Sequence, residues 1–236
     1  MRYAVTWVER LQEAFAPLLD FIFPPYCVLC ESHLQVYEPL VCADCWRRLP
    51  TCGESVLWYK VGAGSLPPAW SLSATLAVWA YDENVERVIH LFKYNGYPCL
   101  AHPLGLALGG ALFAAEAFSS ADILVPVPLH PVRRRERGYN QSELLARTAS
   151  RVCGISVLAG ALRRVRYTTP QAKLGPVERA QNVQGAFAVK DRASVTDKKV
   201  VLIDDVFTTG ATSNECARML LEAGAHSVFL ATVARA

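Results

Sequence analysis

The stretch Val200-Val201-Leu202-Ile203-Asp204-Asp205-Val206-Phe207-Thr208-Thr209-Gly210-Ala211-Thr212 constrains this chain more than any other. Its apolar opening reads as a buried strand that runs into two adjacent acids and then into a small-residue turn opening a helix. The first N–H groups of a helix lack intrahelical partners, so such a turn makes a cradle for a phosphomonoester. Thr208, Thr209 and Thr212 add hydroxyl donors, and Gly210, followed by Ala211, lets the backbone approach a ligand closely. Adjacent carboxylates at a strand end project to opposite sides. Asp204 and Asp205 are therefore suited to two different ribose hydroxyls, or to one hydroxyl and a hydrated Mg²⁺. Capping of the next turn explains one acid, but not two acids followed by Thr-Thr-Gly-x-Thr. A Walker-type nucleotide loop and a dinucleotide fingerprint are both absent.

Strands and helices alternate from residue 73 onward. Residues 74–80, 123–127, 200–203 and 228–233 read as strands, and 84–92, 104–118, 142–152 and 212–223 as helices. This alternation predicts an α/β domain over 73–236, with a mostly parallel sheet and flanking helices. Residues 53–72, with three glycines and two prolines, read as a linker. Residues 1–23 place Trp7, Leu11, Phe15, Leu18 and Ile22 at roughly helical spacing, which predicts an amphipathic helix docked on the body.

Between that helix and the linker, in residues 24–52, lie Cys27, Cys30, Cys42 and Cys45. Two Cys-x-x-Cys turns can present four sulfurs to one ion, so a closed structural zinc site is expected, with no coordination position left for catalysis. Iron–sulfur ligation fits the same spacing, and unliganded thiols or two disulfides are the bland alternatives. Cys99, Cys153 and Cys216 read as small core fillers, and Cys52 has no nearby partner. The five histidines form no pair at ligand or triad spacing.

With 236 residues, 52% hydrophobic and 19% charged, the chain suits one medium domain plus a small appendage. A net charge of +3 is too mild to announce nucleic-acid binding from the total alone. The charge is clustered, however, in Arg133, Arg134, Arg135 and Arg137 and again in Arg163, Arg164 and Arg166. No apolar run is long enough to span a bilayer and no cleavage signature follows residue 23, so a reducing, cytoplasmic location is expected.

The acidic stretch resembles the signature of type I phosphoribosyltransferases, and the wider pattern resembles the ComF family of competence proteins, related to amidophosphoribosyltransferases. Pro24-Pro25 with the four cysteines, Tyr81-Asp82 through Lys93-Tyr94, and Val125-Pro126-Val127-Pro128-Leu129-His130 carry the likeness. Arg137-Gly138-Tyr139-Asn140-Gln141, Gln171, Glu178-Arg179, Asn182-Val183 and Gly185-Ala186-Phe187 continue it across residues 24–235. The resemblance implies a zinc-ribbon-like module ahead of a phosphoribosyltransferase fold. It also implies phosphoribosyl pyrophosphate with Mg²⁺ as ligand and a role in DNA uptake or use. Many such proteins carry a second cysteine group after the first, whereas only Cys52 stands here.

In the related transferases the loop after the corresponding strand receives pyrophosphate, which makes Arg134 and Arg137 the candidates, since guanidinium forks match phosphate oxygens. Residues 168–182 have the composition of a mobile lid, with Gln171, Arg179 and Asn182 on the family pattern. Lys93 is either a ligand contact or a cation satisfying its helix terminus. Two functions remain open. In the first, Asp204 and Asp205 serve a phosphoribosyl transfer to an unidentified acceptor. In the second, the site is a sensor or relic in a non-catalytic adaptor that handles single-stranded DNA with a helicase-like partner.

Overall fold

The structure, a computed structural model, describes residues 25–36, 38–53, 56–58, 70–168 and 175–236. The helix expected over 1–23 and the site candidate Gln171 lie outside the described residues. The chain divides into two compact units, Met1–Leu49 and Pro50–Ala236.

The second unit is a six-stranded sheet in the order β1-β2-β8-β7-β3-β4. Its strands are β1 (Val56–Trp58), β2 (Ala74–Ala80), β3 (Ile123–Pro126), β4 (Ser156–Val157), β7 (Lys199–Phe207) and β8 (Ser227–Arg235). All neighbours pair parallel except β1, which runs antiparallel along β2. That strand lies inside the stretch expected to be a linker. A separate hairpin joins β5 (Leu162–Arg164) to β6 (Phe187–Val189). Central strand β8 is buried nearly end to end and β7 over Val200–Ile203, as both faces of a parallel sheet are covered by helices.

The helix α1 (Ala43–Arg48) belongs to the first unit; α2 (Glu83–Tyr94), α3 (Ala101–Ala114) and α4 (Glu116–Ser119) follow in the second. The single helix expected over 104–118 is thus two, because Ala115 turns extended (ψ 102°). That break sends Phe118 into the core against Phe229, ring centroids 5.4 Å apart. Further on come α5 (Pro131–Arg137), α6 (Gln141–Cys153), α7 (Pro176–Val183) and α8 (Ala211–Glu222). Of the cysteines expected in the core, Cys216 is fully buried, but Cys99 is exposed and Cys153 only partly covered.

Helices α3 and α6 approach so closely that two glycines of α3 have no room for a side chain. A Cβ at Gly109 would lie 2.7 Å from the Ala149 carbonyl oxygen, and one at Gly105 2.5 Å from Thr148 Cβ. Alanine gains roughly 1 kcal/mol over glycine in a helix interior, but the obstacle at Gly109 is backbone and cannot swing aside. Gly109→Ala is therefore expected to destabilise, by about 1–3 kcal/mol as overpacking does. A lower denaturant midpoint at unchanged m would show it.

Candidate ligand cleft and metal centre

The crossover from β3 leads outward to β4, while that from β7 leads the other way to β8. A crevice opens where neighbouring parallel strands send their connections apart, outside their carboxyl ends. The residues that follow β3 and β7 line a cleft of about 540 Å³ there.

After β3 the chain does not stay an arginine-rich loop; it coils into α5. Pro131 presets the first turn, the His130 ring nitrogen Nδ1 accepts from the Val132 N–H (3.3 Å), and Gly138 closes the helix at φ 84°. Helical spacing then puts Arg133 and Arg137 on one face, and both line the cleft. Arg134 does not; it faces Glu143 at 3.5 Å. The expectation for Arg134 treated the segment as a loop; in the helix it is Arg133 that shares the cleft-lining face with Arg137. Beyond Gly138 each residue has a task. The Tyr139 hydroxyl donates to the Phe92 carbonyl while its ring stacks on Phe92 (5.8 Å). Asn140 caps α6 through Ser142 N–H (3.2 Å) and ties back to the Val127 carbonyl (3.1 Å). Gln141 accepts from Arg137 (2.5 Å), and Ser142 Oγ donates to Asp204 Oδ1 (3.0 Å).

The two acids go to different partners. Asp204 Oδ1 also accepts the Asp205 N–H (2.9 Å), whereas Asp205 Oδ1 is paired with Lys93 Nζ at 2.6 Å. Burial, reinforced by the neighbouring Asp205 charge, raises the Asp204 carboxyl to about 7, against the opposing pull of Lys93 and its hydrogen bonds. For Lys93 burial works downward, but the Asp205 carboxylate outweighs it and the ammonium is held above its ordinary value. Asp205 Oδ2 is buried without a hydrogen-bond partner. An orphaned buried carboxylate oxygen is costly unless a donor arrives to fill it.

The phosphate loop follows β7 directly. Gly210 stands at φ 70°, and a Cβ there would lie 2.5 Å from Trp70 and 2.7 Å from Phe207, so only glycine fits. It stands at the N-cap of α8 without a side chain, so the backbone that opens that helix lies against the cleft. Thr208, Ala211 and Thr212 line the cleft with Gly210; Thr209 does not, and its hydroxyl instead lies 3.5 Å from the Ala211 N–H. From the expected lid, α7 carries Arg179 to the cleft, with Nη1 3.3 Å from Thr208 Oγ1.

Residues not expected in the site also line it: His130, Arg133, Arg164, Tyr81, Tyr94 and Tyr167. Arg133 lies over the Tyr167 ring (5.7 Å) and Arg137 over Tyr94 (5.1 Å). The arginine cluster and the helical period of 131–137 were the signals for Arg133. Arg164 and Tyr167 belong to the β5 hairpin, which the sequence pattern did not reveal.

In the first unit Cys27, Cys30, Cys42 and Cys45 offer sulfurs that all lie within 4.8 Å of one another. Cys30 and Cys42 sulfurs are 3.7 Å apart, matching the edge of about 3.8 Å for a tetrahedron with zinc–sulfur bonds of ~2.3 Å. A cluster would interpose several irons and sulfides and spread the four sulfurs, so a single ion fits and iron–sulfur does not. The scaffold is local. Cys27 N–H bonds the Ser32 carbonyl, Glu31 N–H returns to the Cys27 carbonyl, and Cys42 N–H points at the Cys27 sulfur (3.4 Å). Glu38 accepts from Gln35 and Ala43 N–H groups, and these bonds hold its carboxyl below the usual range. Cys42 precedes α1, which sets Cys45 one turn on. Among the described residues no other group of cysteine, histidine or acidic side chains gathers in this way.

The fold and cleft define a type I phosphoribosyltransferase domain, and the family model for the phosphoribosyl transferase domain matches residues 102–236. The double zinc ribbon domain model matches residues 18–56. The chain belongs to the ComF family of competence proteins. It is 29% identical over 224 residues to competence protein F of Haemophilus influenzae, covering 89% of this chain and 96% of that protein. It is 31% identical over 218 residues to DNA utilization protein YhgH of Escherichia coli K12, covering 87% and 94%. Among solved structures it is similar to the glutamine phosphoribosylpyrophosphate amidotransferase of Bacillus subtilis, at 24% identity and TM-score 0.41. That match covers 61% of this chain and 30% of the amidotransferase. No helix among the described residues is long and apolar enough to cross a membrane.

Proposed function

We propose that the 73–236 domain binds phosphoribosyl pyrophosphate with Mg²⁺ and transfers its phosphoribosyl group to an acceptor nucleophile, in the service of DNA uptake or use. One observation carries this reading: two strand-end acids line a single cleft together with the start of α8 and with Arg133 and Arg137. Cradle, carboxylates and guanidinium groups gathered in one cleft suit a 5′-phosphate, a ribose and a pyrophosphate. The names of the relatives support the cellular role.

Thr208 and residues 210–212 would receive the 5′-phosphate, and ribose hydroxyls would donate to the carboxylates of Asp204 and Asp205, which line the same cleft. The anomeric C–O bond breaks with its electron pair leaving on pyrophosphate, and the acceptor's lone pair forms the new bond. Positive charge grows on the ribose meanwhile, and the adjacent acids favour it electrostatically. Asp205 Oδ1 and Asp204 Oδ1 are already engaged, so Mg²⁺ fits here as an ion carried by substrate oxygens and waters. Bound that way, it would supply positive charge to the leaving pyrophosphate. Arg179 on α7 would shield the reacting centre.

Arg137→Ala is expected to weaken phosphoribosyl-pyrophosphate binding at least about tenfold, the scale of a charge-assisted bond. Binding of ribose 5-phosphate, which lacks the pyrophosphate, should change little. Calorimetry with both ligands checks this, and equal losses would remove Arg137 from the pyrophosphate site. A second reading, a non-catalytic adaptor for single-stranded DNA, draws on exposed Tyr94 and Tyr167 beside Arg137 and Arg133. Rings backed by guanidinium groups can stack bases. Steeply salt-dependent binding of single strands without any pyrophosphate release would favour it.

A further inference from the structure

The phosphoribosyl transferase match begins at residue 102, yet a cation from before that span is bonded to the second acid. Lys93 is placed there by rigid means. Asp82 caps α2 through the Val85 N–H (2.8 Å), and Val85, Val88, Ile89 and Phe92 bury one face. At the other end of α2, Tyr139 stacks on Phe92 and bonds its carbonyl. The ammonium therefore emerges at the strand end from a helix fixed at both ends, with its side chain only 19% exposed. A lysine needed merely for a helix terminus would project into water.

A buried strand-end carboxylate such as Asp205, with Asp204 beside it and no counter-charge, would attract a divalent cation. A metal seated there would hold the oxygens that the proposed ribose needs. Lys93 Nζ sits on Asp205 Oδ1, and Ser142 Oγ with the Asp205 N–H takes Asp204 Oδ1. One oxygen of each acid is thus occupied, and a fixed positive charge stands beside the pair. We propose that Lys93 is a tethered counter-ion occupying the place of a metal at the acidic strand end, so that the ligand-free cleft excludes divalent cations. They enter only on the pyrophosphate of the incoming ligand. Lys93 is then a positioning residue that acts through Asp205; the inference rests on the proposed function for what enters the cleft, but not for what is kept out.

The test uses Mn²⁺ alone as probe on full-length, zinc-loaded protein, followed by water-proton relaxation; thiolate sites bind Mn²⁺ poorly. The parent should show no Mn²⁺ site that Asp205→Asn removes. Lys93→Met should gain one at least about tenfold tighter than the parent, since a fixed like charge is gone. Lys93→Arg should keep the parent's behaviour, and Lys93→Met combined with Asp205→Asn should lose the new site. Lys93→Met binding Mn²⁺ no better than the parent would overturn the proposal. So would a parent that binds Mn²⁺ through Asp205, a result that does not depend on how Lys93→Met folds. Failure of the parent to bind phosphoribosyl pyrophosphate would instead strike the functional reading, leaving the Mn²⁺ pattern as a separate result.

Discussion

Replacing Asp204 and Asp205 together with Asn is expected to lower phosphoribosyl transfer by about 10³-fold or more, with the fold and the cysteine-bound metal retained. The amides keep the size of the acids but remove the negative charge that would face a ribose cation. Pyrophosphate release with Mg²⁺ and a panel of acceptors reads this directly. A fully functional double variant would defeat the enzyme reading in favour of the adaptor. Stability should move the opposite way. In the folded chain Asp204 keeps its proton up to about 7, against an ordinary value of 3.8. The folded state therefore binds more protons between those values, and stability falls as pH rises across them. Asp204→Asn alone should flatten that fall and raise Tm above pH 7, a gain in stability bought with activity.

Removal of the metal, by chelation or by Cys42→Ser, is expected to unfold the described part of the first unit. Metal affinity in small four-thiolate modules is of the order of 10 kcal/mol or more and is largely their folding free energy. Cys27 and Cys42 are buried, so without an ion their thiols would be packed around no centre. The second unit has its own core around β7, β8 and α8, and its thermal transition should persist. Elemental analysis that finds no stoichiometric metal in purified protein would end this expectation, as would a Cys42→Ser chain whose amide exchange over 25–49 matched the parent.

The long periodic elements were legible because burial imposes pattern. The strand and acids of β7 and the apolar face of α2 announce themselves through runs and spacing. Short elements did not. β5 and β6 have three residues each, too few for a period, and so Arg164 and Tyr167 went unplaced. The α5 segment was obscured by its prolines and arginines, although Pro131 at the first turn and Gly138 after the last are helix boundaries. Lys93 illustrates a deeper limit. Its spacing on α2 was visible, but its pairing with Asp205 joins residues more than a hundred positions apart, which no local pattern encodes.

Strand β2 is flanked in the sheet by β1 and by β8, with Thr75 opposite Leu230. On the ribosome, β2 is made long before its parallel partner exists. At 5–20 residues per second the wait is roughly 8–30 s. Throughout that interval an almost wholly apolar strand has an unsatisfied edge, the kind of surface that recruits holding chaperones or pairs with a neighbouring nascent chain. Translation speed across the intervening segment thereby becomes a determinant of yield, and a ribosome stalled before residue 227 would leave the open edge on display.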